Sequence, residues 1–296
     1  MTLVVLGDLM VDVLARAAGP LARGSDTEAR ITLAGGGSGA NVAAWAAALG
    51  TPTHFACRVG DDERGRRAVD ELLGAGVKLH VGTDRHRPTG TCVVLVEPGG
   101  ERTMLPDPGA NDTPADVPDA WLGPGRHLHV VGYSLLREGA RPGALAAIER
   151  AQAAEMTVSV DPSSWALIRD GAIPPVDLLL PNEREAEVLG ERGDMVVKLG
   201  AAGARWGDLA VPAEPVEVVD TTGAGDAFAA GFLTARLAGA GRREALAAGC
   251  AVGARVVSQI GARPVPAVSQ IGARPVPAAV RRRRATAARG PASEYD

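Results

Sequence analysis

Several things are scarce in this chain of 296 residues, and each scarcity excludes something. Only three cysteines occur, Cys57, Cys92 and Cys250, far apart and odd in number. That rules against a disulfide scaffold or a thiolate zinc site and fits a reduced compartment, so a cytoplasmic location is expected. Aromatic residues make up 3% of the chain, with three Phe and two Tyr. No apolar run reaches the ~18 residues of a membrane span. The N-terminus opens on a strand-like LVVLGD, with no basic n-region or cleavage site. A net charge of −4 gives no reason to expect nucleic acid or a membrane surface as partner. A G-x-x-x-x-G-K-[ST] phosphate loop is absent. Lysine is nearly absent too: Lys78 and Lys198 stand among 31 basic residues, and Asn41, Asn111 and Asn182 are the only asparagines. This is the usage of a GC-rich coding sequence, and asparagines that persist under it mark places to read closely.

What is present is apolar: 46% of residues, enough for one large α/β domain. Strand patterns cover 3–6, 54–59, 92–97, 127–131, 157–160, 178–180, 195–199 and 216–219. Helix patterns cover 38–49, 63–73, 141–154, 183–189, 226–238 and 243–257. Continuous apolar strands alternating with helices predict a parallel sheet covered on both faces. Ligands of such folds collect at the carboxyl ends of the strands. Polar residues stand at those ends: Asp8, Asp161, Asn182 and Asp220. Two stretches, 11–33 and 88–105, break the rhythm with short strand-like pieces, and PGG at 98–100 suits a hairpin turn. They predict a small antiparallel sheet projecting from the main domain, as a lid or a partner-binding face.

Residues 216–236, VEVVDTTGAGDAFAAGFLTAR, carry the most chemistry. A β-branched run stops at Asp220, and a glycine turn opens into a helix. Glycines let backbone N–H groups converge on an anion, and the helix N-terminus adds partial positive charge. Asp226 then places a carboxylate beside the bound anion. A cradle for charge and a base for an attacking hydroxyl are what phosphoryl transfer requires. About 180 residues earlier, GGGSGAN at 35–41 brings backbone close to a ligand and offers the Asn41 amide to hydroxyls.

Together these motifs resemble the PfkB family of carbohydrate kinases. The matches run in family order: GDLMVD at 7–12, GGGSGAN at 35–41, GAN at 109–111, PNEREAE at 181–187, VKLGAAGA at 197–204 and DTTGAGDAF at 220–228. All three asparagines fall inside them. The resemblance implies a ribokinase-like three-layer α/β/α sandwich with a mostly parallel central sheet and a small antiparallel β lid. It implies ATP-dependent phosphorylation of a hydroxyl of a small sugar or sugar acid. Asp226 would be the base, and Gly223, Ala224 and Gly225 the anion hole. Asp12, Gly36 and Asn41 would bind the sugar. Asn182 and Glu185 would hold Mg²⁺, largely through waters. Lys198, Gly200, Gly203 and Gly261 would border the nucleotide. Asp220 and Thr222 match positions that help bind a monovalent cation such as K⁺ in many members.

The chain also departs from the pattern. DPSSW at 161–165 stands where many sugar kinases carry D-x-N-x-R, and Gly132-Tyr133-Ser134 stands where many ribokinases have a Glu. The identity of the sugar is therefore open. A nucleoside kinase is the alternative within the fold; a non-catalytic sugar-binding regulator is the alternative outside enzymes. His127 and His129 share a strand face but lack a third ligand, so core histidines are expected. Trp45, Trp165 and Trp206 are expected to pack rather than stack on ligand. VSQIGARPVPA occurs at 257–267 and again at 268–278, followed by RRRR at 281–284. Helix continuity gives the working role to the first copy. The kinase domain is therefore expected to span 1–267, with a mobile basic tail at 268–296. A homodimer through the lid strands is expected, because an apolar sheet face needs cover.

Overall fold

Residues Leu3 to Leu6 set the architecture. Leu3 and Val5 belong to one apolar core, Val4 and Leu6 to another. A strand buried on both faces belongs at the centre of a covered parallel sheet. The computed structural model describes residues 1–98, 102–190 and 192–264. Its first half runs β1 (Thr2–Leu6), β2 (Met10–Ala17), β3 (Ala29–Gly36), α1 (Ser38–Ala48), β4 (Thr53–Gly60), α2 (Glu63–Gly74), β5 (Lys78–Asp84), β6 (Gly90–Val96) and β7 (Arg102–Asp107). The second half runs β8 (Arg126–Val131), α3 (Tyr133–Leu136), α4 (Arg141–Ala153), β9 (Thr157–Asp161), β10 (Leu178–Leu179), α5 (Glu183–Leu189), β11 (Val196–Lys198), β12 (Ala204–Trp206), β13 (Leu209–Val211), α6 (Ala224–Leu237) and α7 (Arg242–Val257).

Six strands form the main sheet in the order β10-β9-β8-β1-β4-β5, every pair parallel. Single bridges, Leu179 to Met195 and Asn182 to Lys198, tie β11 to its β10 edge. From there β11, β12 and β13 run antiparallel. Helices α1 and α6 pack together on one face and share a core with α7. Both are rich in alanine and buried from Gly39 to Ala46 and from Ala227 to Leu233. A helix apolar all round must be covered on all sides. Its small residues let the two helices approach closely. Among the described residues no helix is long and apolar enough to cross a membrane.

The lid is a separate sheet in the order β3-β2-β6-β7. Its outer pairs are antiparallel, and its central pair, β2 with β6, is parallel. Leu14, Cys92 and Val94 form its own small core with Met10, while Ile31, Leu33, Met104 and Leu105 remain exposed.

One expected strand is not formed. Residues 216–219 are irregular, with Val216, Val218 and Val219 exposed. β-branched composition is a local signal, whereas a strand needs a partner. Here the bonds run from the N–H groups of Val219 and Asp220 to one carbonyl, that of Val257, at 2.8 and 3.1 Å. Three strands, β5, β12 and β13, are present without having been expected. β5 is the sheet edge and alternates in exposure, so its polar positions mask it. The turn of the β6–β7 hairpin, the second repeat copy at 268–278 and the basic tail lie outside the described residues.

Candidate active site

A cleft of about 290 Å³ opens at the carboxyl ends of the main-sheet strands, beneath the lid. Neighbouring strands each send one polar residue to it: Asp8 after β1, Tyr133 after β8, Asp161 at the end of β9, Asn182 after β10 and Lys198 at the end of β11. Met10, Asp12, Cys92 and Met104 of the lid face it from above. The N-termini of α1 and α6 converge on the same space, since Ser38 and Asp226 both line it.

Asp226 sits in the first turn of α6. Ser38 Oγ donates to its Oδ1 at 2.5 Å, and Asn41 Nδ2 donates to its Oδ2 at 2.8 Å. Burial pushes its carboxyl up to about 7, against the downward pull of those two bonds. The group is thus held in place and poised to take a proton near neutral pH. Gly223 caps the helix at φ 75°, a left-handed value, and a Cβ there would lie 2.6 Å from that of Ala262. Only glycine fits. The N–H groups of Gly223 and Gly225 have no acceptor among the described residues, whereas Ala224 N–H bonds Thr221 O at 3.3 Å. Two of the three expected anion-hole amides are therefore free to receive an anion.

Asp220 is fully engaged. Its Oδ1 accepts from Thr222 N–H at 2.8 Å and pairs with Arg102 Nη1 at 2.7 Å; its Oδ2 accepts from Gly261 N–H at 3.1 Å. Burial pushes its carboxyl up, but the Thr222 and Gly261 bonds and the Arg102 charge prevail, so it lies below the usual carboxylate range. Arg102, on lid strand β7, also donates to the hydroxyls of Thr222 at 2.6 Å and Thr221 at 3.2 Å.

Lys198 points into the cleft and donates to Asp161 Oδ2 at 2.6 Å. Burial disfavours its charge, but Asp161 and Glu185 outweigh that and raise its pKa. A Cβ on Gly225 would lie 3.2 Å from Lys198 Nζ, so the ammonium borders the α6 amides. Asn182 and Glu185 form a capping box at α5, with both bonds 2.9 Å. Glu185 is 2% exposed, and burial followed by the Asp161 charge raises its carboxyl. Its Oε1 makes no hydrogen bond among the described residues. Gly200 and Gly203 do not line the cleft; Gly203 lets its backbone pass against Val211 O.

At the lid end, Asp12 is buried and makes no hydrogen bond among the described residues. Burial pushes its carboxyl up to about 6, with Arg263 pulling the other way. A Cβ on Gly36 would lie 2.2 Å from Asp12 Oδ1, so glycine there makes room for the carboxylate.

The sequence pattern of the pfkB family carbohydrate kinases matches residues 1–268. The chain belongs to that family. This pfkB-family kinase is a phosphotransferase. It is 35% identical over 253 residues to an "ATP-dependent ribose-1-phosphate kinase" of Halopiger xanaduensis, covering 78% of this chain and 83% of that protein. It is 33% identical over 279 residues to a "Fructokinase" of Klebsiella pneumoniae, covering 82% and 87%. Among solved structures, the adenosine kinase from Sinorhizobium meliloti superposes with a TM-score of 0.77 at 26% identity, covering 91% of this chain and 98% of that one.

Two residues, Ser38 lining the kinase's cleft and Arg263 behind Asn41, were not singled out from sequence. Ser38 lies inside GGGSGAN and holds the Asp226 carboxylate. Arg263, in the first repeat copy, donates to Gly36 O at 2.8 Å and to Asn41 Oδ1 at 3.4 Å, and pairs with Glu71 at 2.8 Å. It fixes the Asn41 amide with its NH₂ towards Asp226. Trp45 Nε1 donates to Ala262 O at 2.8 Å, seating the same segment. Trp45 and Trp206 are buried as expected, while Trp165 is exposed beneath the Arg184 guanidinium, 4.0 Å from its centroid. His127 and His129 share Ser159 Oγ at 2.7 and 2.8 Å, and burial pushes both down to about 3. They are neutral core residues. No group of three or more His, Cys, Asp or Glu suited to a metal occurs among the described residues.

Proposed function

We propose that this kinase transfers the γ-phosphoryl group of ATP to a hydroxyl of a small sugar or sugar derivative. The carrying observation is Asp226, clasped by Ser38 and Asn41 beside the free N–H groups of Gly223 and Gly225. The acceptor oxygen attacks the γ-phosphorus as its proton passes to Asp226. The bond to the ADP oxygen breaks, and ADP leaves. The two amides, the α6 N-terminus and Lys198 offset the charge that builds on the transferred group. Asp12, with both oxygens unbonded, accepts from acceptor hydroxyls.

Mg²⁺ suits the free Oε1 of Glu185, with Asn182 beside it. A hard cation that keeps its waters needs few protein ligands, which fits the absence of a larger acidic cluster among the described residues. Bound there, it would neutralise charge on the nucleotide phosphates. K⁺ at Asp220 and Thr222 fits less well, because Arg102 already supplies that carboxylate with a positive charge. ATP as donor is supported by the name of the ribose-1-phosphate kinase relative.

A nucleoside acceptor, suggested by the adenosine kinase neighbour, is the second reading. It is less well supported, because among the described residues Tyr133 is the only aromatic one lining the cleft, and a base seeks a stacking surface. ADP release over a panel of sugars, sugar acids, sugar phosphates and nucleosides tests both. Turnover of nucleosides alone would overturn the first reading, and turnover of nothing would favour a binding protein. The exposed lid residues Ile31, Leu33 and Leu105 suit a second copy of the same sheet, since a like apolar face complements itself. Sedimentation at micromolar concentration should find a dimer; a monomer would contradict this. The free, buried thiols fit a cytoplasmic site of action.

A further inference from the structure

Arg137 follows the short helix α3, where β8 delivers the chain to the middle of the cleft. Its guanidinium carbon lies 4.9 Å from the centroid of the Tyr133 ring, which steadies it at the cleft wall. The other basic groups around the site are engaged: Lys198 with Asp161, Arg102 with Asp220, Arg263 with Glu71. Arg137 differs. Among the described residues its side chain makes no ion pair and no hydrogen bond. It is half-buried, so five N–H donors are partly withdrawn from water without a protein acceptor. Asp8, a neighbour on the cleft wall, directs its Oδ1 to Gly39 N–H instead.

Asp12 is the matching vacancy on the lid side. One end of the acceptor space thus offers an unbonded carboxylate and another an unbonded guanidinium, with Asp226 also lining the cleft. A neutral sugar satisfies the carboxylates through its hydroxyls but leaves the planar guanidinium fork without the oxyanion it matches best.

We infer that Arg137 recognises an anionic group of the acceptor, and that the preferred acceptor is a small sugar carrying a carboxylate or a phosphate. This rests on the kinase reading above and names the substrate class of the same site. Carboxylate and phosphate present the same pair of oxygens to the fork, so the two sources are separated by experiment.

The test uses the full chain and matched acceptors: a pentose with its phosphate, and a hexose with its hexonic acid. With wild type, at least one anionic member should exceed its neutral partner in kcat/KM by about 10- to 100-fold, mainly through KM. The arm showing the preference identifies the anion. Arg137→Gln should bring that ratio towards one, and Arg137→Lys should keep part of it. Neutral acceptors used as well as anionic ones would overturn the inference while leaving the kinase reading intact. So would an Arg137→Gln loss that is equal for both members of a pair. If wild type turns over no acceptor, the kinase reading fails separately. Calorimetric binding then decides: anion-selective affinity lost in Arg137→Gln sustains the anion site, and equal affinity overturns it. Circular dichroism establishes that each variant is folded.

Discussion

At the α6 end of the cleft, Asp226, Asp220 and Lys198 each meet a protein partner within 2.8 Å; Asp12 on the lid and Arg137 on the wall after β8 line the same cleft with none among the described residues. The first set is assembled before any ligand arrives. Its charges are held by one another, so little reorganisation remains for the moment of reaction. The second set is left for the acceptor to complete. On the proposed function, the first set is the transfer end, general to the chemistry, and the second is the acceptor end, where selectivity would reside.

The largest expected effect breaks the transfer end. Asp226→Asn preserves size and leaves Ser38 and Asn41 in place, but removes the proposed base. Turnover should fall by ~10²–10⁴-fold. Nucleotide affinity, read by calorimetry, should stay near wild type. A variant keeping more than half the wild-type rate would remove Asp226 from the chemistry and dissolve the contrast between the two ends.

Gly36→Ala probes the acceptor end. The new Cβ would need the space of the Asp12 carboxylate, 2.2 Å away. Displacing that group by about an ångström should cost roughly 10–10²-fold in kcat/KM, expressed mainly as a higher acceptor KM. Steady-state kinetics on the best acceptor of the panel measures it. An unchanged KM would show that Asp12 does not touch the acceptor.

The same contrast explains what was legible in the sequence. The transfer end is built from contiguous motifs: Gly223, Gly225 and Asp226 follow one another, and Asn182 and Glu185 are one helical turn apart. The element pattern was equally readable where burial is complete, as in β1, α1 and α6. It failed where tertiary context overrides local signal, at the unpaired 216–219 and the half-polar edge strand β5. Contacts spanning the chain were hidden. Arg102 reaches Thr222 across 120 positions, and Arg263 reaches Asn41 across 222. No spacing rule links such pairs, and only the folded sheet brings them together. Arg137 carries no local motif at all; its meaning comes from lacking a partner among the described residues in a cleft where Lys198 has one.

The smallest expected effect sharpens the contrast without breaking it. As the proposed base, Asp226 would act only when ionised, and burial pushes its carboxyl up to about 7. In the free enzyme kcat/KM should therefore fall about tenfold per pH unit below that value and level off above it. Ser38 donates to the ionised carboxylate and so lowers its pKa. Ser38→Ala removes that support, raises the pKa and moves the acid limb to higher pH. The loss should be a few-fold at neutral pH and should vanish on the alkaline plateau. Gly36→Ala, acting at the other end, should lower the whole profile and leave the limb where it is. A Ser38→Ala limb that stays fixed or moves to lower pH would mean that another group sets the profile, and that the hydroxyl positions the helix rather than the base.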